Sequence, residues 1–520
     1  MKSLIKFPMI IVTLLTNYET CGSNILMVFP APSYSHTIAA RVLANNLVER
    51  GHTITLLTTD ARPMNHPKIT QIDLSFSYQL WNDGFDFVSY KENGIGIENM
   101  IEGFAHTIYE VLVLQLGSPE VQSLIKDQNR TKFDLVIVES MGFLPYHAFA
   151  QIYDAPLMGF NSFDAPMDFH ISQGNYVNPF VVNEAALFPY IGELSFWERW
   201  DTIKILAKVA YTVVIKPDLL NRYRYLLRTY FPMINATPHE LLNRVEFLMV
   251  NTHPALGFIR PLVPTTIQLG FIHIEKAKPL PADLQNYLDG SNNGVIYLSL
   301  GSNVKASKLN PKYIKTFLRV FESLDMNVIW KWETNEMENK PENVMLSKWL
   351  PQRDLLEHRN VKLFITQGGH QSMEEAIHCK VPVLVIPFLG DQNANANRLE
   401  ERKVGLQLDL LKMNEENLKE RIIELLKPEY KKNMQNLHDL VYDQPISSLD
   451  KAMFWIEHVI RHKGAKHLEF RAKNVPFHQA YCLDFIAIFV ALFICTIFVV
   501  WKTFSKLYKI LSFQNKSKNE

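Results

Sequence analysis

The sequence predicts an α/β protein made of two facing Rossmann-like domains and a C-terminal transmembrane helix. Three observations carry that expectation. Short apolar runs alternate with helical patterns in two separate series, the syntax of βαβ units in a mostly parallel sheet. Pro261, Pro264, Pro279 and Pro281 mark a break between the series. Close to the C-terminus, Phe485 to Trp501 is apolar throughout; at about 1.5 Å per residue it reaches roughly 26 Å, enough for a thin bilayer.

The first series opens with a strand from Asn24 to Pro30. A helix from His36 to Arg50 follows, apolar at 38, 39, 42, 43 and 47, with Gly51 where a helix-terminating glycine belongs. Thr53 to Leu57 and Phe133 to Val138 are further strands, the latter followed by helical pattern through Tyr153. From about Asn161 to Phe231 the alternation is lost in a stretch rich in aromatics, among them Phe169, Phe188, Phe196, Trp197 and Trp200. Irregular helices are expected there, lining a lipophilic pocket, touching a membrane face or packing in the core. In the second series Gly294 to Ser299 is a strand, and Asn310-Pro311 caps a helix to about Leu324. Asn327 to Trp332, Val361 to Thr366 and Val381 to Pro387 are strands; Glu374 to Cys379 and Asn393 to Lys403 are helical. A ligand between two such domains meets the carboxyl ends of the strands.

The charge balance, 53 basic against 53 acidic residues in 520, favours no nucleic acid. A hydrophobic share of 47% is too high for a disordered chain. Four cysteines, none at CxxC spacing, exclude a disulfide scaffold and a thiolate zinc cluster, and the 17 histidines form no HExxH or comparable ligand spacing.

The termini point to a membrane-anchored protein. Met1-Lys2-Ser3-Leu4-Ile5-Lys6, an apolar run to Leu15 and the small residues Gly22 and Ser23 read as a secretory signal peptide over 1–23. The expected order continues with a first domain over 24–262, a linker over 263–285 and a second domain over 286–445. Helices and a juxtamembrane segment over 446–482, a transmembrane helix over 483–501 and a basic tail over 502–520 complete it. Lys502, Lys506, Lys509, Lys516 and Lys518 place that tail in the cytosol, giving a single-pass type I protein with its bulk in the lumen. Lys516-Ser517-Lys518 resembles a lysine-based endoplasmic-reticulum retrieval signal. Asn129 and Asn235 head lumenal glycosylation sequons.

The residues that carry chemistry lie between Trp349 and Gln392. A strand ends at Thr366, and Gln367-Gly368-Gly369 turns into a helix opened by His370-Gln371-Ser372. Free backbone N–H groups and the positive helix end suit a diphosphate, and glycines permit close approach. Alone, such a turn is more often just an ordinary tight turn. Its neighbours narrow the choice: Trp349-Leu-Pro-Gln352 upstream, Glu375 one turn into the helix, and Pro387-Phe-Leu-Gly-Asp391-Gln392 after the next strand.

This long pattern resembles the signature of the UDP-glycosyltransferase family, the UDP-glucuronosyltransferase-like enzymes, and the likeness extends to the signal peptide, the anchor and Ser299-Leu-Gly-Ser302. It implies a GT-B-type fold whose first domain binds the acceptor and whose second binds the UDP-sugar. By that likeness Trp349 stacks on uracil, Gln352 supports the base and Glu375 takes the ribose hydroxyls. Ser302, Gln367, Gly368, Gly369, His370, Gln371 and Ser372 surround the diphosphate, and Asp391 and Gln392 hold the sugar. It also makes His36, in Ser33-Tyr34-Ser35-His36, the general base of an inverting transfer to hydroxyls of small lipophilic acceptors. Glu139 stands where the family commonly places the orienting Asp; a structural ion pair is the alternative. Gln367 and Gln371 depart from the His and Asn usual at their positions and resemble the insect branch, where glucose is the usual donor. The sequence has no Asp-x-Asp for manganese, so neither metal nor cofactor is expected, only UDP-glucose or UDP-glucuronate as co-substrate. Self-association is left open. A non-catalytic lipophile-binding or regulatory protein of the same fold is the rival reading, and a transferase acting on proteins or lipids a third.

Overall fold

The computed structural model describes residues 22–60, 62–127, 131–181, 188–190, 192–212, 218–257, 259–334 and 336–516. Most of the expected signal peptide, Asn129 and the last four residues of the tail lie outside these.

The first sheet comprises β1 (Asn24–Phe29), β2 (Thr53–Thr58), β3 (Ile69–Asp73), β4 (Leu135–Glu139), β5 (Leu157–Asn161), β6 (Phe247–Val250) and β7 (Thr266–Gln268). All neighbours pair parallel in the order β3-β2-β1-β4-β5-β6-β7. Along β1, Leu26 and Val28 enter one apolar cluster and Ile25, Met27 and Phe29 the other, the alternation of a strand buried on both faces. Helix α1 (Tyr34–Glu49) starts earlier than expected because Ser33, in extended conformation, serves as its N-cap. It ends at Arg50, followed by Gly51 at φ 96°. Helix α2 (Phe87–Glu92) leaves the first domain's layers and sinks Val88 into a core cluster of the second domain. Flanking it, Lys91 pairs with Asp409 and Lys308 with Asp86, each at 3.0 Å, and the Asn310 N–H donates to Glu92.

The aromatic stretch divides between core and surface. Starting at the end of β5, it includes α3 (Met167–Gln173), α4 (Phe196–Ala210) and α5 (Asp218–Tyr230). Phe169 and Phe188 are buried, whereas Phe196, Trp197 and Trp200 at the start of α4 are exposed.

The second sheet comprises β8 (Val295–Ser299), β9 (Asn327–Lys331), β10 (Val344–Ser347), β11 (Val361–Thr366), β12 (Val383–Val385) and β13 (Gly405–Gln407). It is parallel throughout, in the order β10-β9-β8-β11-β12-β13. Its helices include α6 (Pro311–Glu322), capped by Asn310 as expected, α7 (Gln352–Leu356), α8 (His370–His378) and α9 (Gln392–Glu401).

Two expected boundaries move. The segment read as a linker, 263–285, contains β7, which completes the first sheet: the prolines flank a short edge strand instead of excluding one. Helix α10 (Ser448–Arg461), within the 446–482 stretch expected to hold C-terminal helices and a juxtamembrane segment, packs on the first sheet. Its Ala452, Met453, Ile456 and Val459 join the cluster of β1 and α1, and Trp455 stacks on Phe247 at 4.9 Å. The apolar face of α10 therefore belongs to the first domain.

Residues 470–520 form a separate compact unit. Within it α11 (Leu483–Lys516) includes Leu483–Lys509, long and apolar enough to cross a membrane. The helix continues beyond the expected end at Trp501.

Candidate active site

Strand order reverses beside β1 and β4 in the first sheet and beside β8 and β11 in the second, and both halves of the site sit at these switch points. In the first domain the chain leaves β1, turns at Ser33 and enters α1, which puts His36 in the first helical turn. Glu139 is the last residue of β4, in the neighbouring strand. The two meet: His36 Nδ1 and Glu139 Oε1 are 2.5 Å apart. Glu139 is fully buried and also accepts from the Ser162 hydroxyl at 2.6 Å.

With Glu139 ionised, His36 Nδ1 carries the proton and donates, so Nε2 presents its lone pair. Burial alone would lower this imidazole. The Glu139 charge, its hydrogen bond and the charge of Asp391 together outweigh it, and His36 ends above its ordinary value. Phe163 packs edge-on against the His36 ring at 5.9 Å, forming an apolar wall beside the imidazole.

In the second domain, β11 ends at Thr366 and the turn runs through Gly368 at φ 86°. A Cβ there would run into the side chain of Val385, so both backbone angle and space call for glycine. Gly369 is the N-cap of α8 and His370 its first residue. Asn395 Nδ2 braces the turn, donating to the Gly368 carbonyl at 2.9 Å and to Asp391 at 2.6 Å. Asp391, the N-cap residue of α9, is pushed upward by burial, against the pull of His370 and Asn395.

Trp349 leaves its indole half exposed, with Tyr34 of the first domain edge-on at 4.9 Å and Lys331 Nζ 5.5 Å from its centroid. Gln352 is fixed at both ends of its amide. Its oxygen accepts from Tyr297 at 3.1 Å, and its nitrogen donates to Glu375 at 2.6 Å and to Ser372 at 3.0 Å. Burial raises Glu375 above the ordinary carboxylate value, although His273 and Gln352 pull it down. The Gln392 oxygen accepts from the backbone of Phe388 and Leu389, leaving its N–H groups for a ligand. Ser302 is partly buried just past β8. Gln367 is buried beside Gly301. Gln371 also reaches beyond the turn: its side-chain nitrogen donates across the cleft to the Ser35 carbonyl at 3.1 Å and the Ser162 carbonyl at 2.9 Å.

Beneath the turn lies a buried charge cluster that the sequence did not announce. His370 Nε2 is 3.3 Å and His273 Nδ1 3.4 Å from Glu374, which also accepts from the Phe271 N–H at 2.8 Å. Burial would raise Glu374, but His370 and His273 prevail and bring it down to about 2. Its contribution to stability is therefore complete above about 4.3, the free-carboxylate value, and is lost as pH falls through about 2. Replacing Glu374 with Ala strands buried imidazoles and a backbone N–H; we expect a loss of about 3–5 kcal/mol, read from urea midpoints at pH 7.

Ser162 and Lys331 were also missed. Ser162 sits in the stretch without periodic pattern, and Lys331, whose Nζ donates to the Gly301 carbonyl, looks like an ordinary strand end. Asn235 lies exposed in a loop. Among the described residues no three or more His, Cys, Asp or Glu side chains are grouped to hold a metal ion.

Two parallel Rossmann-type sheets facing across such a cleft define the GT-B class of glycosyltransferases. The solved glycosyltransferase VinC, in complex with DTDP, shares this fold with a TM-score of 0.55 at 16% identity, over 85% of this chain and 100% of its own. The family model "UDP-glucoronosyl and UDP-glucosyl transferase" matches residues 24–518, and the chain belongs to that family. A UDP-glycosyltransferase, UGT5, of Dactylopius coccus is 30% identical over 92% of this chain and 91% of its own. The ecdysteroid UDP-glucosyltransferase of Mamestra brassicae nuclear polyhedrosis virus is 31% identical over 87% and 88%. The protein is thus a UDP-sugar glycosyltransferase.

Proposed function

We propose that this enzyme transfers glucose, with glucuronic acid as the alternative donor sugar, from UDP to hydroxyl groups of small lipophilic acceptors with inversion. The observation that carries the reading is the buried His36–Glu139 pair, opposite the glycine turn and N-terminus of α8. His36 Nε2 takes the acceptor's hydroxyl proton while that oxygen bonds to the anomeric carbon. The bond from that carbon to the diphosphate breaks, and UDP leaves with the electron pair. Glu139 stabilises the resulting imidazolium. The turn at Gly368 and Gly369, with the helix end, faces the charge that develops on the leaving diphosphate, so the chain's own groups serve without a metal.

Trp349 stacks on the uracil with Gln352 behind it, Glu375 accepts from the ribose diol, and Ser302, Gln367, His370 and Ser372 surround the diphosphate. Asp391 and the Gln392 N–H groups take the sugar hydroxyls. Phe163 beside His36 favours an apolar acceptor, and similarity to a viral enzyme named for ecdysteroid glucosylation favours glucose and a lipophilic acceptor. The apolar helix and basic tail support a type I protein of the endoplasmic-reticulum membrane with its catalytic part lumenal, and Asn235 is placed to carry a glycan there.

A donor panel tests the reading. Membranes bearing the wild-type chain or His36→Ala are incubated with a simple phenol and either UDP-glucose or UDP-glucuronate. We expect wild type alone to form conjugate, and UDP-glucose to be the better donor. No conjugate from either donor despite retained UDP binding would sink the catalytic reading.

A further inference from the structure

We propose that Gln371 is an interdomain positioning residue: it ties the docking of the second domain to the alignment of the His36–Glu139 pair. The inference rests on the general-base reading above. Gln371 is the second residue of α8, beside the diphosphate turn, yet its amide nitrogen reaches the first domain. Each of its two N–H bonds has an acceptor there. One is the Ser35 carbonyl, adjacent to His36. The other is the carbonyl of Ser162, the residue whose hydroxyl donates to Glu139.

The amide orientation is set by chemistry, because an amide oxygen facing two carbonyl oxygens would be repelled by both. The Ser162 carbonyl has one further donor, Asn251 Nδ2 at 3.2 Å, which fixes that loop from within the first domain. A second link, Asn303 Nδ2 donating to Ser33 at 3.2 Å, ties the loop after β8 to the N-cap of α1. The helix that carries base and the loop that clamps its carboxylate are therefore both gripped from the donor domain. When the domains part, these two walls of the pair lose a common support. General-base transfer is sensitive to displacements of about 1 Å, so the grip acts on the chemical step.

The test uses the full-length chain and two variants. Gln371→Ala removes the side chain; Gln371→Glu keeps its size and removes both N–H donors. Three quantities are measured: UDP dissociation constant by calorimetry, steady-state kcat and KM, and hydrogen exchange of segments 33–40 and 157–165 with saturating UDP. Both variants should lose about 10- to 100-fold in kcat, as expected from two lost hydrogen bonds and a misplaced base. UDP affinity of Gln371→Ala should stay within about threefold of wild type, and exchange should accelerate in both segments together.

A loss confined to UDP affinity would assign Gln371 to the phosphates and overturn the proposal. Wild-type kcat in Gln371→Glu would reduce the residue to packing and overturn it as well. If wild type itself forms no conjugate, the general-base reading fails, and exchange still decides the interdomain tie. Faster exchange in both segments upholds the tie; unchanged exchange removes it.

Discussion

His36→Ala should lower kcat by about 10²- to 10⁴-fold while UDP binds within about threefold of wild type. The asymmetry follows from where the residues lie. His36 belongs to α1 of the first domain, whereas the glycine turn, Trp349, Gln352 and Glu375 belong to the second. Alanine leaves the helix intact and removes only the imidazole proposed to take the acceptor proton. Rates with a phenol acceptor, paired with calorimetry of UDP binding, check both halves. Joint loss of turnover and binding would mean that the variant has misfolded, and unimpaired turnover would remove His36 from the mechanism.

Glu139→Gln should cost a similar factor, about 10²–10⁴, and should also move the pH profile. His36 must be neutral to act as base, so kcat/KM rises with pH through the imidazole's folded value. In the wild type that value lies above the ordinary ~6.5, because the Glu139 charge and hydrogen bond, with the charge of Asp391, together outweigh burial. Without the carboxylate charge, burial dominates and the acid limb moves to lower pH, although the plateau falls. A profile of kcat/KM between pH 5 and 9 separates the outcomes. An unmoved limb would show that the carboxylate does not set the base, leaving Glu139 a structural partner only.

Much of this site was legible in the sequence because its residues cluster along one stretch of chain. Trp349, Gln352, the glycine turn, Glu375 and Asp391 occupy successive strand ends and helix starts of a single parallel sheet, so their order already places them on one rim. The His36–Glu139 pairing is anticipated by the family resemblance; the structure supplies its physical basis, since β1 and β4 are the strands that meet where the order reverses. What escaped depends on contacts between distant segments. Ser162 follows β5, a strand whose residues are all buried and therefore show no alternation. His273 and Glu374 meet only after the domains are packed together. For Gln371 the neighbours in sequence suggest a phosphate, whereas its side-chain hydrogen bonds to carbonyls across the cleft depend on packing that the sequence does not display.

In the fold itself, β7 is hidden among prolines, and the helical pattern of α10 does not reveal which domain it packs on. The three-residue β7 is recognisable only by the strand it pairs with, and α10 finds its place only through the sheet it covers.

That last helix has a consequence for how the protein is made. The first sheet receives its final strand at Gln268, yet the cluster over β1 and α1 is closed by residues of α10, made only after the whole second domain. At about 5–20 residues per second, the nascent first domain waits on the order of 10–40 s with that face uncovered. Phe247, on which Trp455 stacks in the finished fold, is among the residues that lack this cover during the interval. The two halves of this transferase are thus nested in time as well as in space: the half begun first is finished last, and a chaperone holding it must let go only after Val459 has emerged.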